Sequence, residues 1–113
     1  MVEARAEQVL SFDPRHYRPV AEGRKRATTR IDEPVELGPI WLVFEFDEPR
    51  QLAATIDEIV TKRWDDLSDD DAREEGLASA DGLRDLLLEY YPTAIGDSDV
   101  EFIRFSLTPV TER

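Results

Sequence analysis

The apolar positions of the chain fall into short segments rich in β-branched and aromatic residues, separated by proline, glycine and aspartate. Segments of this kind are typical of β-strands. The pattern predicts strands at residues 8–12, 26–31, 40–46 and 100–107, of which IWLVFEF at 40–46 is the clearest. Residues 52–64 fit both an alternating strand and a helical stripe, so the pattern alone leaves that segment undecided.

Proline and glycine frame a first helix. Asp13 followed by Pro14 is typical of a helix start and Gly23 of a helix end, which predicts a helix to about residue 22. Pro19 falls inside this segment, where it would remove a backbone hydrogen bond. The alternative is a very short helix that begins near Pro19.

Two further helices have stronger signals. Ser68 precedes three aspartates, which is close to a capping box, and its helix should run to residue 75 and stop at Gly76. Ser79 caps a second helix that ends at Pro92. The apolar stripe of that helix has helical spacing, at Leu83, Leu86, Leu87 and Tyr90.

The order of these elements is strands first, a helical insertion in the C-terminal third, and a closing strand. This order indicates an α+β domain built on a small mixed barrel. The 113 residues suffice for one domain with a single modest core, and no linker or repeat divides them.

The composition is strongly acidic, with 26 aspartates and glutamates against 14 lysines and arginines and a formal net charge of -12. A charge of this sign repels nucleic acid at low salt. The only two lysines are Lys25 and Lys62. Scarce lysine is typical both of salt-adapted proteins and of GC-rich genomes, and the sequence does not separate these explanations.

Several classes of site are excluded by composition. Without cysteine the chain has no disulfide and no thiolate metal site, and a single histidine, His16, excludes a multi-histidine metal site. No apolar run approaches the roughly 18 residues of a membrane span, and the N-terminus lacks signal-peptide features. We therefore expect a cytoplasmic protein without a membrane segment.

Residues 23–30 reverse the charge of their surroundings. Five of the 14 basic side chains lie in this segment or close to it, namely Arg18, Arg24, Lys25, Arg26 and Arg30. Basic and hydroxyl side chains after a glycine turn can hold a phosphate or a carbonyl oxygen. The alternative is a basic patch that offsets acidic neighbours.

Two glutamates, Glu74 and Glu75, stand at the end of a predicted helix, where the helix dipole favours basic residues. One interpretation buries a glutamate against the basic segment, where it would carry protons. The other leaves both carboxylates in solvent.

Most aromatic residues should lie in the core. Trp64 stands between two charged residues, so a partly exposed ring there would form a stacking wall for a base. His16 is expected on the surface near a helix start, without a catalytic partner.

Three motifs, in this order, resemble those of the ASCH family. Residues 23–30 resemble its G-x-K-x-x-T-x-R segment, residues 67–77 its L-x-D-x-x-A-x-x-E-G segment, and Tyr91-Pro92 precedes a similar final strand at 100–105. The similarity covers about residues 8–107. It implies a PUA-like mixed β-barrel with helices packed at its side, and a strand up to about residue 61.

The ASCH family is linked to RNA and nucleoside chemistry, and one branch of small members removes the acetyl group from acetylcytidine. The resemblance places the catalytic residues of that branch at Lys25, Thr28 and Glu75. It implies a modified nucleoside or RNA as partner, and neither metal nor cofactor. Additional substrate contacts are expected from Arg24, Arg26, Arg30 and Trp64.

In this hypothesis Thr28 supplies a hydroxyl nucleophile or positions a water, Lys25 takes its proton, and Glu75 protonates the leaving amine. Residues three apart in a regular strand point to opposite faces, so Lys25 and Thr28 converge only across a turn or bulge. Whether Thr28 or Thr29 faces the cleft stays open. Arg26 stands where the branch commonly has threonine, which could change substrate choice.

The alternatives are a module that binds RNA or a nucleotide without turnover, an RNA-cleaving ASCH protein, and an adaptor that keeps only the barrel. A long polyanion needs a broad basic surface. The sequence offers one basic segment, which favours a nucleoside over a polymer.

Overall fold

Five strands form one mixed sheet that curls into a half-barrel. The computed structural model describes residues 8–94 and 96–109. The strands are β1 (Val9–Phe12), β2 (Ala27–Arg30), β3 (Gly38–Phe44), β4 (Arg50–Arg63) and β5 (Asp99–Leu107). Their spatial order is β1-β3-β4-β5-β2, with β1 parallel to β3 and the other neighbours antiparallel. The four segments that the pattern predicts as strands are confirmed to within two residues at each end.

The longest strand, β4, is the segment that periodicity leaves undecided. Residues 50–56 pair with β3 and residues 54–63 with β5, so the strand changes partner along its length and only 54–56 have neighbours on both sides. A register shift between Ile56 and Glu58 interrupts the ladder with β5. The change of partner and this irregularity blur the alternation of buried and exposed residues. The strand implied by the family resemblance is confirmed, and it extends two residues beyond residue 61.

The first helical region is split in two. A turn of 3-10 helix covers Pro14–His16, and α1 covers Tyr17–Ala21. Pro19 lies in the first turn of α1, where its missing N–H removes no helical hydrogen bond. The prediction of a helical segment that begins after Asp13 and runs to about residue 22 is therefore confirmed, with a first turn of 3-10 helix, and the alternative that begins near Pro19 is wrong. The carbonyl oxygen of Pro19 accepts hydrogen bonds from the amides of Arg24 and Lys25, at 2.8 and 2.9 Å, and so directs the chain toward β2.

The two later helices, α2 (Asp69–Glu74) and α3 (Ala80–Tyr90), confirm the predictions from their caps. Ser68 Oγ accepts a hydrogen bond from the Asp71 amide at 3.1 Å, and the Asp71 carboxylate accepts one from the Ser68 amide at 3.0 Å. This reciprocal capping box fixes the start of α2. Ser79 caps α3 through the amide three residues later.

Two apolar clusters fill the domain. The buried members of the first come from the sheet and α1, and are Leu10, Phe12, Val20, Ile40, Leu42, Phe44, Ala54, Ile56, Ile103 and Phe105. Those of the second surround α2 and α3, and are Trp64, Leu67, Ala72, Leu83, Leu87 and Val100. The end of α2 meets the start of β2, because the Arg26 amide donates to the Glu74 carbonyl oxygen at 2.7 Å.

Gly76 allows this close approach. Its φ of +81° lies in the left-handed region, and a Cβ built on it would come within 3.3 Å of the Arg24 carbonyl oxygen. A residue with a side chain would therefore be strained by its own backbone and would also press on the segment before β2.

We expect Gly76→Ala to lower the free energy of unfolding by about 1–2 kcal/mol, since the left-handed conformation costs a residue with a Cβ about that much. Chemical denaturation measures it. Gly82→Ala is the matched control, because Gly82 is helical and its added Cβ would make an ordinary contact 3.5 Å from Ser79 Oγ. That control should stabilise the protein by about 0.5–1 kcal/mol. Equal effects of the two substitutions would contradict the role given to Gly76.

Candidate functional site

A pocket of about 520 Å³ opens between the two edge strands of the half-barrel. Ser11 and Phe12 of β1 form one side, and Thr28, Thr29 and Arg30 of β2 form the other. The C-terminal half of α3 and the turn of 3-10 helix after β1 complete the walls. A volume of this order suits a small-molecule ligand.

Lys25 and Glu75 form a buried ion pair in the pocket. Lys25 Nζ donates to Glu75 Oε1 at 3.0 Å, and the hydroxyl of Thr29 donates to Glu75 Oε2 at 2.6 Å. The side chains of Lys25 and Glu75 are only 3% and 2% exposed. The interpretation that one glutamate of the acidic pair faces the basic segment is therefore correct in geometry. Glu74 instead accepts a hydrogen bond from Arg104 Nε on the outside of the sheet, at 3.1 Å.

This pair retains hydrogen-bonding capacity for a ligand. An ammonium group has three donors, and the described residues accept one of those of Lys25. Each carboxylate oxygen of Glu75 takes one hydrogen bond from the protein and has a second lone pair. The pair can therefore donate and accept hydrogen bonds at the same place, as proton transfer to and from an amide requires.

Arg30 holds the second hydroxyl of the site. Its Nε donates to Thr28 Oγ1 at 3.1 Å, Nη1 to Glu33 at 2.7 Å, and Nη2 to the Ser11 carbonyl oxygen at 3.0 Å. The guanidinium also lies over the Phe12 ring, 4.7 Å from its centroid. Arg30 thus connects β2 to β1 across the open side of the half-barrel. Both threonines line the pocket, so the open question of which one faces the cleft has no single answer. They differ in their partners, since Thr29 is hydrogen-bonded to Glu75 and Thr28 to Arg30.

Glu33 continues this network to α3. Its second carboxylate oxygen accepts a hydrogen bond from the Tyr91 hydroxyl, which is short. Burial first, and then this hydrogen bond to Glu33, raises the pKa of Tyr91 to about 12. Tyr91 therefore keeps its proton at neutral pH and remains a hydrogen-bond donor to Glu33.

His16 and Tyr90 form the wall opposite this network. His16 Nε2 lies 3.3 Å from the Tyr90 hydroxyl, and Tyr90 as a residue is 42% exposed, with the Arg15 guanidinium 5.6 Å from its ring centroid. Burial, followed by the positive charges of Lys25 and Arg15, lowers the pKa of His16 to about 4. His16 lies at the start of α1 as predicted, but its imidazole is half-buried, lines the pocket and is hydrogen-bonded to Tyr90, so the expected surface position is only partly correct.

The structure does not bring Arg24, Arg26 or Trp64 to the pocket. Arg24 is exposed and bonds to Glu22, its neighbour two residues before. Arg26 lines a separate groove on the outer face of the sheet. Trp64 is 6% exposed and belongs to the second apolar cluster, so it provides no open ring for stacking. Of the four predicted substrate-binding residues, Arg30 alone lines the pocket.

The pocket also contains residues that the sequence did not indicate. Glu33, Glu45, Tyr90 and Asp13 line it, and none belongs to a motif with a chemical signature. Among the described residues no group of three or more histidines, aspartates or glutamates is arranged to hold a metal ion.

Comparison with known proteins supports the fold. No family model and no curated protein matches the chain. An ASCH domain from Lactobacillus crispatus superposes with a TM-score of 0.71 at 14% identity, covering 90% of this chain and 80% of that one. The chain has an ASCH-like fold. Protein EF3133 from Enterococcus faecalis, of the family DUF984, has a TM-score of 0.71 at 16% identity, covering 95% of this chain and 79% of that one.

At these identities the likeness shows the ASCH-like, PUA-like fold and nothing finer. The predicted fold class is therefore confirmed, whereas the acetylcytidine branch of the family receives no support from these neighbours. In the described part of the chain, no helix is both long and apolar enough to cross a bilayer.

The buried ion pair should couple strongly in a double-mutant cycle. Lys25→Met and Glu75→Leu should each lower the free energy of unfolding by about 3–5 kcal/mol, because each leaves one buried charge without its partner. The double variant should lose much less unfolding free energy than the two single variants lose together. The difference, which is the coupling energy of the pair, should be about 2–3 kcal/mol by chemical denaturation.

The exposed pair Arg73–Asp70 is the control, since its side chains are 61% and 92% exposed. Its cycle should show no measurable coupling. Additive losses at Lys25 and Glu75 would contradict a buried pair.

The single imidazole allows a direct titration by NMR. We expect the pKa of His16 to be about 4, and to rise in Lys25→Met, because a nearby positive charge is removed. Arg15 and Arg30 lower the same pKa, and Asp13 raises it.

The unfolded chain takes up the His16 proton near pH 6.5 and the native chain near pH 4, so the free energy of unfolding should fall as pH drops between those values. A native pKa near 6.5 would place His16 in solvent.

Proposed function

We propose that the pocket binds a modified nucleoside and hydrolyses the amide of an acetylated cytidine. The observation that carries this proposal is the buried Lys25–Glu75 pair, with Thr28 and Thr29 beside it, in a pocket of about 520 Å³. Proton donor, proton acceptor and hydroxyl are the groups that amide hydrolysis needs. The ASCH-like fold is consistent with this function but does not assign it.

The charge of the pocket favours a small uncharged substrate over a polyanion. Two cations line it, Lys25 and Arg30, and each is paired with a carboxylate. Two further carboxylates, Asp13 and Glu45, also line it, and the whole chain has a formal net charge of -12. Phosphate recognition uses unpaired basic groups, so a free nucleoside fits this pocket better than RNA.

The reaction adds water across the amide and gives acetate and cytidine. In our mechanism Thr28 Oγ1 attacks the acetyl carbonyl carbon. The hydroxyl proton passes to Glu75 through one intervening water, because the hydroxyl hydrogen-bonded to Glu75 itself is that of Thr29. The carbon–nitrogen bond then breaks, and the amine of cytidine leaves with the proton from Glu75. Water hydrolyses the acetyl ester on Thr28, which releases acetate and restores the hydroxyl.

Lys25 and Arg30 have different parts in this mechanism. Lys25 has donors left over from Glu75, and these stabilise the negative oxygen that develops on the carbonyl group. Arg30 donates from each of its three nitrogens, to Thr28, Glu33 and the Ser11 carbonyl oxygen, so its part in this mechanism is to position Thr28. The hydrogen bond from Arg30 Nε to Thr28 Oγ1 also stabilises the negative charge on that oxygen when the hydroxyl loses its proton.

The test is hydrolysis of acetylcytidine by the purified protein, followed by chromatography at low and at molar salt. Thr28→Val and Lys25→Met should lower kcat/KM by about 100-fold or more, as the loss of a nucleophile or an oxyanion donor does. Arg18→Ala is the control, because Arg18 has an 82% exposed side chain outside the pocket and should leave the rate unchanged. Thermal melting establishes that each variant is folded.

The second candidate is a nucleoside-binding module without turnover. The exposed Tyr90 ring beside hydrogen-bonding groups favours it, since a base can stack there whether or not chemistry follows. Saturable cytidine binding without hydrolysis at either salt would select this candidate over the enzyme. Binding of RNA with a steep salt dependence would overturn both.

A further inference from the structure

His16 has no part in the mechanism above, although it lines the same pocket. Its ring is edge-on to Phe12, with centroids 6.1 Å apart, and tilted against Tyr90, with centroids 6.4 Å apart. The imidazole is thus held between two aromatic rings. A polar ring fixed in this way at the edge of a cavity has the geometry of a ligand contact.

The partners of Tyr90 determine which nitrogen of His16 carries the proton. The Tyr90 hydroxyl donates to Asp13 Oδ2 at 3.2 Å, because a carboxylate can only accept. The Tyr90 hydroxyl oxygen also accepts hydrogen bonds from Arg15, from Nη2 at 2.8 Å and from Nε at 3.3 Å. With its single hydrogen directed to Asp13, the Tyr90 hydroxyl has none to offer His16, so we assign His16 Nε2, at 3.3 Å, as the donor.

The neutral imidazole consequently has its lone pair on Nδ1. Within residues 8–94 and 96–109 no hydrogen bond is made to that atom, whereas Nε2 is engaged. The low pKa of His16, about 4, keeps the ring neutral across the physiological range. So weak a base is a poor proton acceptor for catalysis, but its lone pair remains a good hydrogen-bond acceptor.

We propose that His16 is a specificity residue that contacts the bound nucleoside, accepting at Nδ1 a hydrogen bond from an N–H or O–H donor of the ligand. The inference rests on the proposed nucleoside ligand. It adds a ligand contact on the wall formed by His16 and Tyr90, which has no part in the proposed hydrolysis. The donor is either the exocyclic N–H of the base or a ribose hydroxyl. Both are uncharged, in keeping with the acidic lining.

NMR on tag-free protein tests the contact without any need for turnover, because the chain has one histidine. The free protein should show Nδ1 unprotonated and Nε2 protonated. Addition of cytidine should shift the Nδ1 resonance in the direction of a hydrogen-bonded nitrogen. Cytosine should reproduce the shift if the base supplies the donor, and should fail to do so if the ribose does. Cytidine binding with Nδ1 unchanged, or a free protein with Nδ1 protonated, would overturn the proposal.

Three substitutions separate the acceptor from the donor of the ring. His16→Asn retains an acceptor near Nδ1, His16→Gln retains a donor near Nε2, and His16→Phe retains neither. Cytidine affinity should fall about five- to tenfold in the Gln and Phe variants, as expected for one hydrogen bond, and less in the Asn variant. Equal cytidine affinity in the wild type and all three variants would show that His16 does not contact the ligand.

The outcome is distinguishable from that of the proposed hydrolysis. Loss of cytidine binding in His16→Phe, in a protein that does not hydrolyse acetylcytidine, would support the contact and refute the enzyme. Full hydrolysis with an unchanged KM in His16→Phe would support the enzyme and refute the contact. Thermal melting of each variant separates either result from unfolding.

Discussion

A buried ion pair between Lys25 and Glu75 joins two segments that lie 50 residues apart in the chain. The backbone supports it on both sides, since the Pro19 carbonyl oxygen holds the Lys25 amide and the Glu74 carbonyl oxygen holds the Arg26 amide. Two charges out of water are costly unless they are close and further hydrogen-bonded. The Thr29 hydroxyl supplies that further bond. The approach of α2 to β2, and with it one wall of the pocket, depends on this arrangement.

The pocket follows from the incomplete closure of the sheet. β1 and β2 are the two edges, and unpaired edges expose backbone groups that need partners. Arg30 supplies one by donating to the Ser11 carbonyl oxygen, and its other contacts extend through Glu33 to Tyr91. The Arg30 side chain thus bridges β1 and β2 with a hydrogen bond where no backbone ladder joins them, and the pocket lies beside it.

The sequence predicted most of the fold because its signals were local. The caps at Ser68 and Ser79 involve residues three apart, and the strands are visible in their own composition. The charge anomaly at Glu74 and Glu75 also raised a buried carboxylate as one of two interpretations, since the pair broke the helix-dipole rule within one turn. Trp64 was misplaced, and His16 in part, because burial of a single side chain is decided by distant packing. Trp64 sits on α3 residues, and His16 depends on Tyr90, 74 positions away.

The ion pairs that hold the two walls of the pocket differ in burial. The wall at Lys25 and Glu75 is buried and locked by backbone hydrogen bonds, whereas α3 is tied to the opposite rim by Arg15, whose side chain is 47% exposed. Exposed ion pairs contribute little to stability. The rim of the pocket beside Arg15 is therefore held by weaker contacts than its floor, although Leu83 and Leu87 anchor the body of α3 in the second apolar cluster.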